Sequence, residues 1–152
     1  MTIKYLQELE SLNYQAIGRN SVNDPMSITE IVSLEQQYNN SQPFPVVLRE
    51  LLNIAGNGCP LLDLEPENLQ TWIRTEVIET GNTITRPYFG FDFKDGSFCL
   101  VFTDENTHDP KVYVVELYPS FTGTEFLAES ETTLLKLLKF RIDRIKRGLS
   151  IY

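Results

Sequence analysis

Apolar positions along the chain follow two different periods, and the change between them divides the sequence. Ile3, Leu6, Leu9 and Leu12 recur every three positions and predict a short N-terminal helix over residues 3–12. Residues 14–27 are polar, contain Gly18 and Asp24-Pro25, and read as a connector. Ser27 with Glu30 three residues on forms a capping box. In the helix it opens, Ile28, Ile31, Val32, Leu34 and Tyr38 share one side, an arc of about 160°. Glu35 projects into the middle of that arc, where a carboxylate must snorkel or find donors. The expectation is that it accepts backbone N–H groups near the turn Gly56-Asn57-Gly58. Ser41 to Pro45 ends this helix, and Pro45 suits the first position of the next, where its missing N–H has no helical partner. Leu48, Leu51, Leu52 and Ala55 then fall at i, i+3, i+4 and i+7, so residues 45–55 form an amphipathic helix. Gly56 lies where a left-handed cap is wanted, and Gly58 permits a second sharp bend.

Residues 66–78 are ambiguous, with Leu69, Trp72, Ile73 and Val77 favouring a helix. From Tyr88 the period drops to two. Tyr88 to Phe93 alternates toward a strand, Asp95-Gly96 is a hairpin signal, and residues 97–102 and 112–117 are dense in β-formers. Between the last two lies a polar loop, TDENTHDPK. Ser130 is expected to cap a final helix with Leu134, Leu135, Leu138, Ile142 and Ile145 along one face, stopped by Gly148. The order is helices, then an antiparallel meander, then a helix, which predicts an α+β fold. One domain over residues 1–152 is expected, with a core over roughly 28–147 and residues 1–27 as N-terminal helix and connector.

Charge changes the picture more than composition does. The net charge is −8, but residues 1–135 hold 7 basic and 20 acidic side chains, a balance of −13. Residues 136–152 hold 6 basic side chains and one acid, Asp143, a balance of +5. The basic tail reads as a solvated helix face whose cations suit a helix C-terminus. An acidic body repels nucleic acid and attracts basic proteins. No apolar run reaches the roughly 18 residues of a membrane span, and no signal-peptide pattern opens the chain. Cys59 and Cys99 read as free thiols of a cytoplasmic protein.

The candidate chemistry is thin. Gly56-Asn57-Gly58 follows a helix, has the wrong glycine spacing for a phosphate loop and no lysine after it. Asp104, Glu105, His108 and Asp109 cluster in one loop, but in neither calcium nor zinc spacing. Cys99 sits in an apolar strand and Cys59 has no nearby base, so neither reads as a nucleophile. No catalytic set, cofactor motif or metal site is expected.

Several short motifs then occur in order: Leu34-Glu35; Pro45 with Leu48 and Leu52; Asn57-Gly58; Phe89-Gly90; Asp95-Gly96; FCLVF; VYVVEL; and a helix begun by Ser130. Over roughly residues 28–147 this set resembles the SUKH superfamily, the Smi/Knr-type cell-wall-assembly regulators and bacterial immunity proteins. Cys59 departs from the family's commoner second glycine, and residues 65–87 match no part of its pattern. The resemblance implies a non-enzymatic domain that binds proteins. Its typical bacterial role is neutralising a cognate toxin, often a nuclease; the alternative is a regulatory scaffold with a non-toxin partner. It also implies that Glu35, Pro45, Gly56, Asn57 and Gly58 are scaffold. The expected contact surface for a basic partner comprises Asp63, Glu65, Glu67, Glu76 and Glu79, the loop acids Asp104, Glu105 and Asp109, and the aromatics Trp72 and Tyr88.

Overall fold

The structure, a computed structural model, describes residues 1–62, 66–118 and 125–151, and of residues 66 and 67 the backbone only. The fold is α+β. Helices α1 (Gln7–Glu10), α2 (Ile28–Tyr38), α3 (Val46–Ala55) and α4 (Pro66–Glu79) precede strands β1 (Tyr88–Lys94), β2 (Ser97–Phe102), β3 (Lys111–Glu116) and β4 (Leu127–Thr133), and α5 (Leu134–Lys146) follows. The strands form one antiparallel sheet in the order β1-β2-β3-β4.

The meander follows from turn chemistry. Asp95 and Gly96 both adopt positive φ (51° and 81°), the geometry that matches the right-handed twist of a tight hairpin. Strand β1 is buried on both faces, because successive side chains point opposite ways. On one side the Phe89 ring lies 5.3 Å from Phe44 and 6.3 Å from Tyr38. On the other, α4 lies so close that a Cβ at Gly90 would sit 2.2 Å from Ile73 Cδ1, so a side chain there would push the helix off the sheet. Beside it the Trp72 and Phe93 rings meet edge to face at 4.7 Å. Residues 66–79 are therefore a true helix, decided by packing on β1 where sequence periodicity was ambiguous.

Several sequence expectations need correction. The N-terminal helix spans only Gln7–Glu10, because the amides of Lys4, Tyr5 and Leu6 all donate to the buried Glu50 carboxylate at 2.7, 2.8 and 3.0 Å. The connector is half structural: Tyr14 and Met26 are core residues, and Tyr14 donates to Asn23, which donates to the Leu9 carbonyl. Ile28 and Val32 are exposed, and α2 buries Ile31, Leu34 and Glu35. Ser130 does not cap α5. It lies in β4, a strand too polar to show in the sequence, and its hydroxyl donates to the Val112 carbonyl at 2.7 Å. The cap is Thr133, whose Oγ1 accepts from Lys136 N, while Gly148 (φ 68°) does end the helix.

Gly56 is likewise not a left-handed cap; its φ and ψ are −68° and −26°. It is glycine because of crowding: a Cβ there would lie 2.4 Å from the Leu52 carbonyl oxygen and 2.8 Å from Met26 Cβ. Gly58 has ordinary φ and bridges Asp24, whose N–H donates to the Gly58 carbonyl at 2.8 Å. Asn57 closes the arrangement, its side chain donating to Pro25 O at 2.8 Å and its N–H to Asp24 O at 2.9 Å. The turn is a seam between α3 and residues 24–26.

Candidate functional site

The charged groups fall into those answered inside the fold and those left outward. Glu35, 5% exposed, accepts from a backbone N–H as expected, but the donor is Phe44, at 2.8 Å, and not the glycine turn. Arg49 Nε approaches the same carboxylate within 2.7 Å. The reason is local. Asn39 N–H and Ser41 N–H both donate to the Glu35 carbonyl, and Asn40 and Ser41 adopt positive φ. The chain thus doubles back and delivers Phe44 to Glu35. Pro45 is the N-cap of α3, one position earlier than expected. A second buried pair joins sheet to helix: Arg141 donates to Asp92 at 2.7 Å and to the Leu61 carbonyl at 2.7 Å.

The acidic loop between β2 and β3 is largely occupied in holding the fold. Asp104 meets Arg86 side-on, through Nε at 3.2 Å and Nη2 at 2.7 Å. Glu105 accepts the Lys111 N–H and, at 3.4 Å, the Tyr113 hydroxyl. Asp109 accepts the Leu135 N–H at 2.8 Å and so satisfies an amide in the first turn of α5. His108 gives its carbonyl to Val47 N–H at the start of α3 and pairs its ring with the Tyr5 hydroxyl. The two expected aromatics differ in exposure: Trp72 is half-buried against Phe93, while Tyr88 is 6% exposed. Asp63, Glu65 and the side chain of Glu67 lie outside the described residues.

Of the described acids in the expected contact surface, those of α4 are left without such a role. Trp72, Glu76 and Glu79 follow one another at i, i+4 and i+7 on one side of the helix, and neither carboxylate has an ion-pair partner among the described residues. Ile78, between them in sequence, is 74% exposed. Its sequence signal is an apolar residue off the Leu69–Ile73–Val77 stripe. Between α2 and α4 runs an open cleft of about 830 Å³, lined by Thr29, Ser33 and Gln37 of α2, Asn57 of the turn, and Asn68 and Thr71 of α4. Met26, Leu34 and Tyr38 complete its wall together with Glu30, so the cleft offers both polar and apolar contacts.

Neither thiol is disposed to act as a nucleophile. Burial pushes Cys59 up to about 11 and Cys99 up to about 11, so both are protonated near neutrality. Among the described residues no group of three or more His, Cys, Asp or Glu is placed to hold a metal ion, and no helix is long and apolar enough to cross a membrane. Compared with known proteins, the chain matches no family model, no curated protein and no solved structure.

Proposed function

We propose that this chain is a protein-binding domain without enzymatic activity, acting as an immunity protein that neutralises a basic toxin such as a nuclease. The observation that supports it best is one flank of α4, where the half-buried Trp72 is followed by Glu76 and Glu79 and no cation among the described residues answers either carboxylate, while Ile78 is exposed on another side of the same helix. Carboxylates of this kind steer and orient a basic partner, and the apolar groups supply contact area. The SUKH-like order of motifs, from Leu34-Glu35 to the α5 region, agrees with this role. Within the expected surface, this reading puts its weight on α4, because Asp104, Glu105 and Asp109 also hold intramolecular hydrogen bonds.

The test is association with the product of any toxin-like gene that neighbours this chain's gene, followed by surface plasmon resonance at low and physiological salt. The expected result is an on-rate that falls steeply with salt and a loss of binding on Glu76→Lys with Glu79→Lys. Tight binding indifferent to salt and to both reversals overturns the α4 surface. Binding to a non-toxin partner only would assign the Smi/Knr-type regulatory role instead.

A further inference from the structure

In a chain with 21 acidic side chains, Arg74 is a half-buried cation that no carboxylate answers among the described residues. Arg49 has Glu35, Arg86 has Asp104 and Arg141 has Asp92. Arg74 instead lies against two tyrosines, its guanidinium carbon 4.3 Å from the centroids of both Tyr38 and Tyr88. Its Nη1 donates to the Gln70 carbonyl and side-chain oxygens, at 3.1 and 3.3 Å, and its Nη2 to the Tyr88 carbonyl at 2.9 Å. A guanidinium has five N–H donors. Nε–H and one Nη2–H therefore have no acceptor among the described residues. Nε and Nη2 are the same two nitrogens that Arg86 uses to take Asp104 side-on.

This open fork borders a recess of about 270 Å³ lined also by Gln37, Asn40, Thr85 and Arg86, with no Asp or Glu among the described residues of its wall. Gln37 and Tyr38 belong to both the recess and the larger α2/α4 cleft, so the two adjoin. We propose that the recess is a carboxylate-binding site in which Arg74 takes the ligand side-on through Nε and Nη2. Two coplanar donors match the two oxygens of a carboxylate, and stacking on tyrosine holds the fork in place. The site does not depend on the partner proposed above. The carboxylate comes from an acidic side chain of a bound protein or from a small diacid.

Arginine Nε–H resonances of the isotopically labelled full-length chain test this, with three probes: succinate, N-acetylglutamate amide and inorganic phosphate. Arg74→Lys assigns the Arg74 signal by deleting it. Saturable displacement of that signal by a carboxylate probe, with phosphate weaker, is the expected result. Displacement by N-acetylglutamate amide points to a protein side chain, and displacement by succinate alone to a small diacid; both keep the site. Because Arg74 also holds Tyr88, a second variant is needed that leaves its hydrogen bonds intact. Asn40→Asp places a negative charge in the wall at a position of φ 52°, which aspartate tolerates as asparagine does. It should weaken carboxylate binding by about tenfold at unchanged melting temperature. No saturable displacement, displacement unaffected by Asn40→Asp, or tighter binding of phosphate than of both carboxylates overturns the proposal.

Discussion

The loop from Asp104 to Asp109 and the helix α4 are both acidic and both near the surface, yet they do opposite things. In the loop every carboxylate has found a donor: a guanidinium for Asp104, a backbone amide and a phenol for Glu105, a helix N-terminal amide for Asp109. On α4, Glu76 and Glu79 have none among the described residues, because a helix interior satisfies its own amides and leaves no N–H for a side chain to take. The loop carboxylates are drawn into structure by nearby N–H groups, and so are the helix residues Glu35 and Glu50, which face backbone arriving from elsewhere in the chain. Glu76 and Glu79, on a flank of α4 with no such backbone against them among the described residues, stay available to a partner. Counting acids along a sequence does not separate the two.

That division is open to direct attack. The largest effect is expected where a carboxylate is most deeply committed. Asp92→Ala removes the Asp92 partner of the buried Arg141 and should destabilise by about 3–5 kcal/mol in denaturant unfolding, since a guanidinium that loses a buried counter-charge is strongly penalised. An effect below about 1 kcal/mol would show the pair to be incidental.

Glu50→Ala should follow, at about 2–3 kcal/mol, because three amides lose one shared acceptor. Hydrogen exchange localises it: amides of residues 4–6 should lose protection ahead of the sheet, and uniform loss across the molecule would contradict the assignment.

Asp109→Ala should cost about 1 kcal/mol, the usual worth of a helix-start acceptor. Glu76→Lys with Glu79→Lys should stay within about 0.5 kcal/mol. Melting temperatures of these variants side by side test the comparison directly; equal losses would erase the distinction between loop and helix.

The smallest effect is a pH dependence at Glu30. Hydrogen bonds from the Ser27 hydroxyl and N–H hold its carboxyl below the usual range. A carboxyl with a lowered folded-state pKa adds stability above its unfolded value and loses it as pH falls through the folded one. Glu30→Gln should therefore flatten the acid limb of the stability curve below about pH 5 and leave the neutral region little changed. An unaltered acid limb would show the capping box to be energetically silent.

Much of the fold could be read along the chain because its signals are local. The Ser27–Glu30 capping box, the Leu48 to Ala55 stripe, the Asp95-Gly96 turn and the Leu134 to Ile145 face each need only neighbours within a turn or two to declare themselves. Glu35 as a buried acceptor was legible for the same reason, since a carboxylate in an apolar arc has few alternatives. Strand β4 was not, because an edge strand with polar residues on its open side has no apolar alternation to show. Only the tertiary structure decided that Phe44 and not the glycine turn serves Glu35, and that Glu50 holds residues 4–6 from 44 to 46 positions away. The same holds for Asp109 turning inward to α5 and for Arg74 meeting two tyrosines. Residue types fix which partners a charge can accept; which partner arrives is set by chain reversals and helix–sheet docking that bring distant residues together.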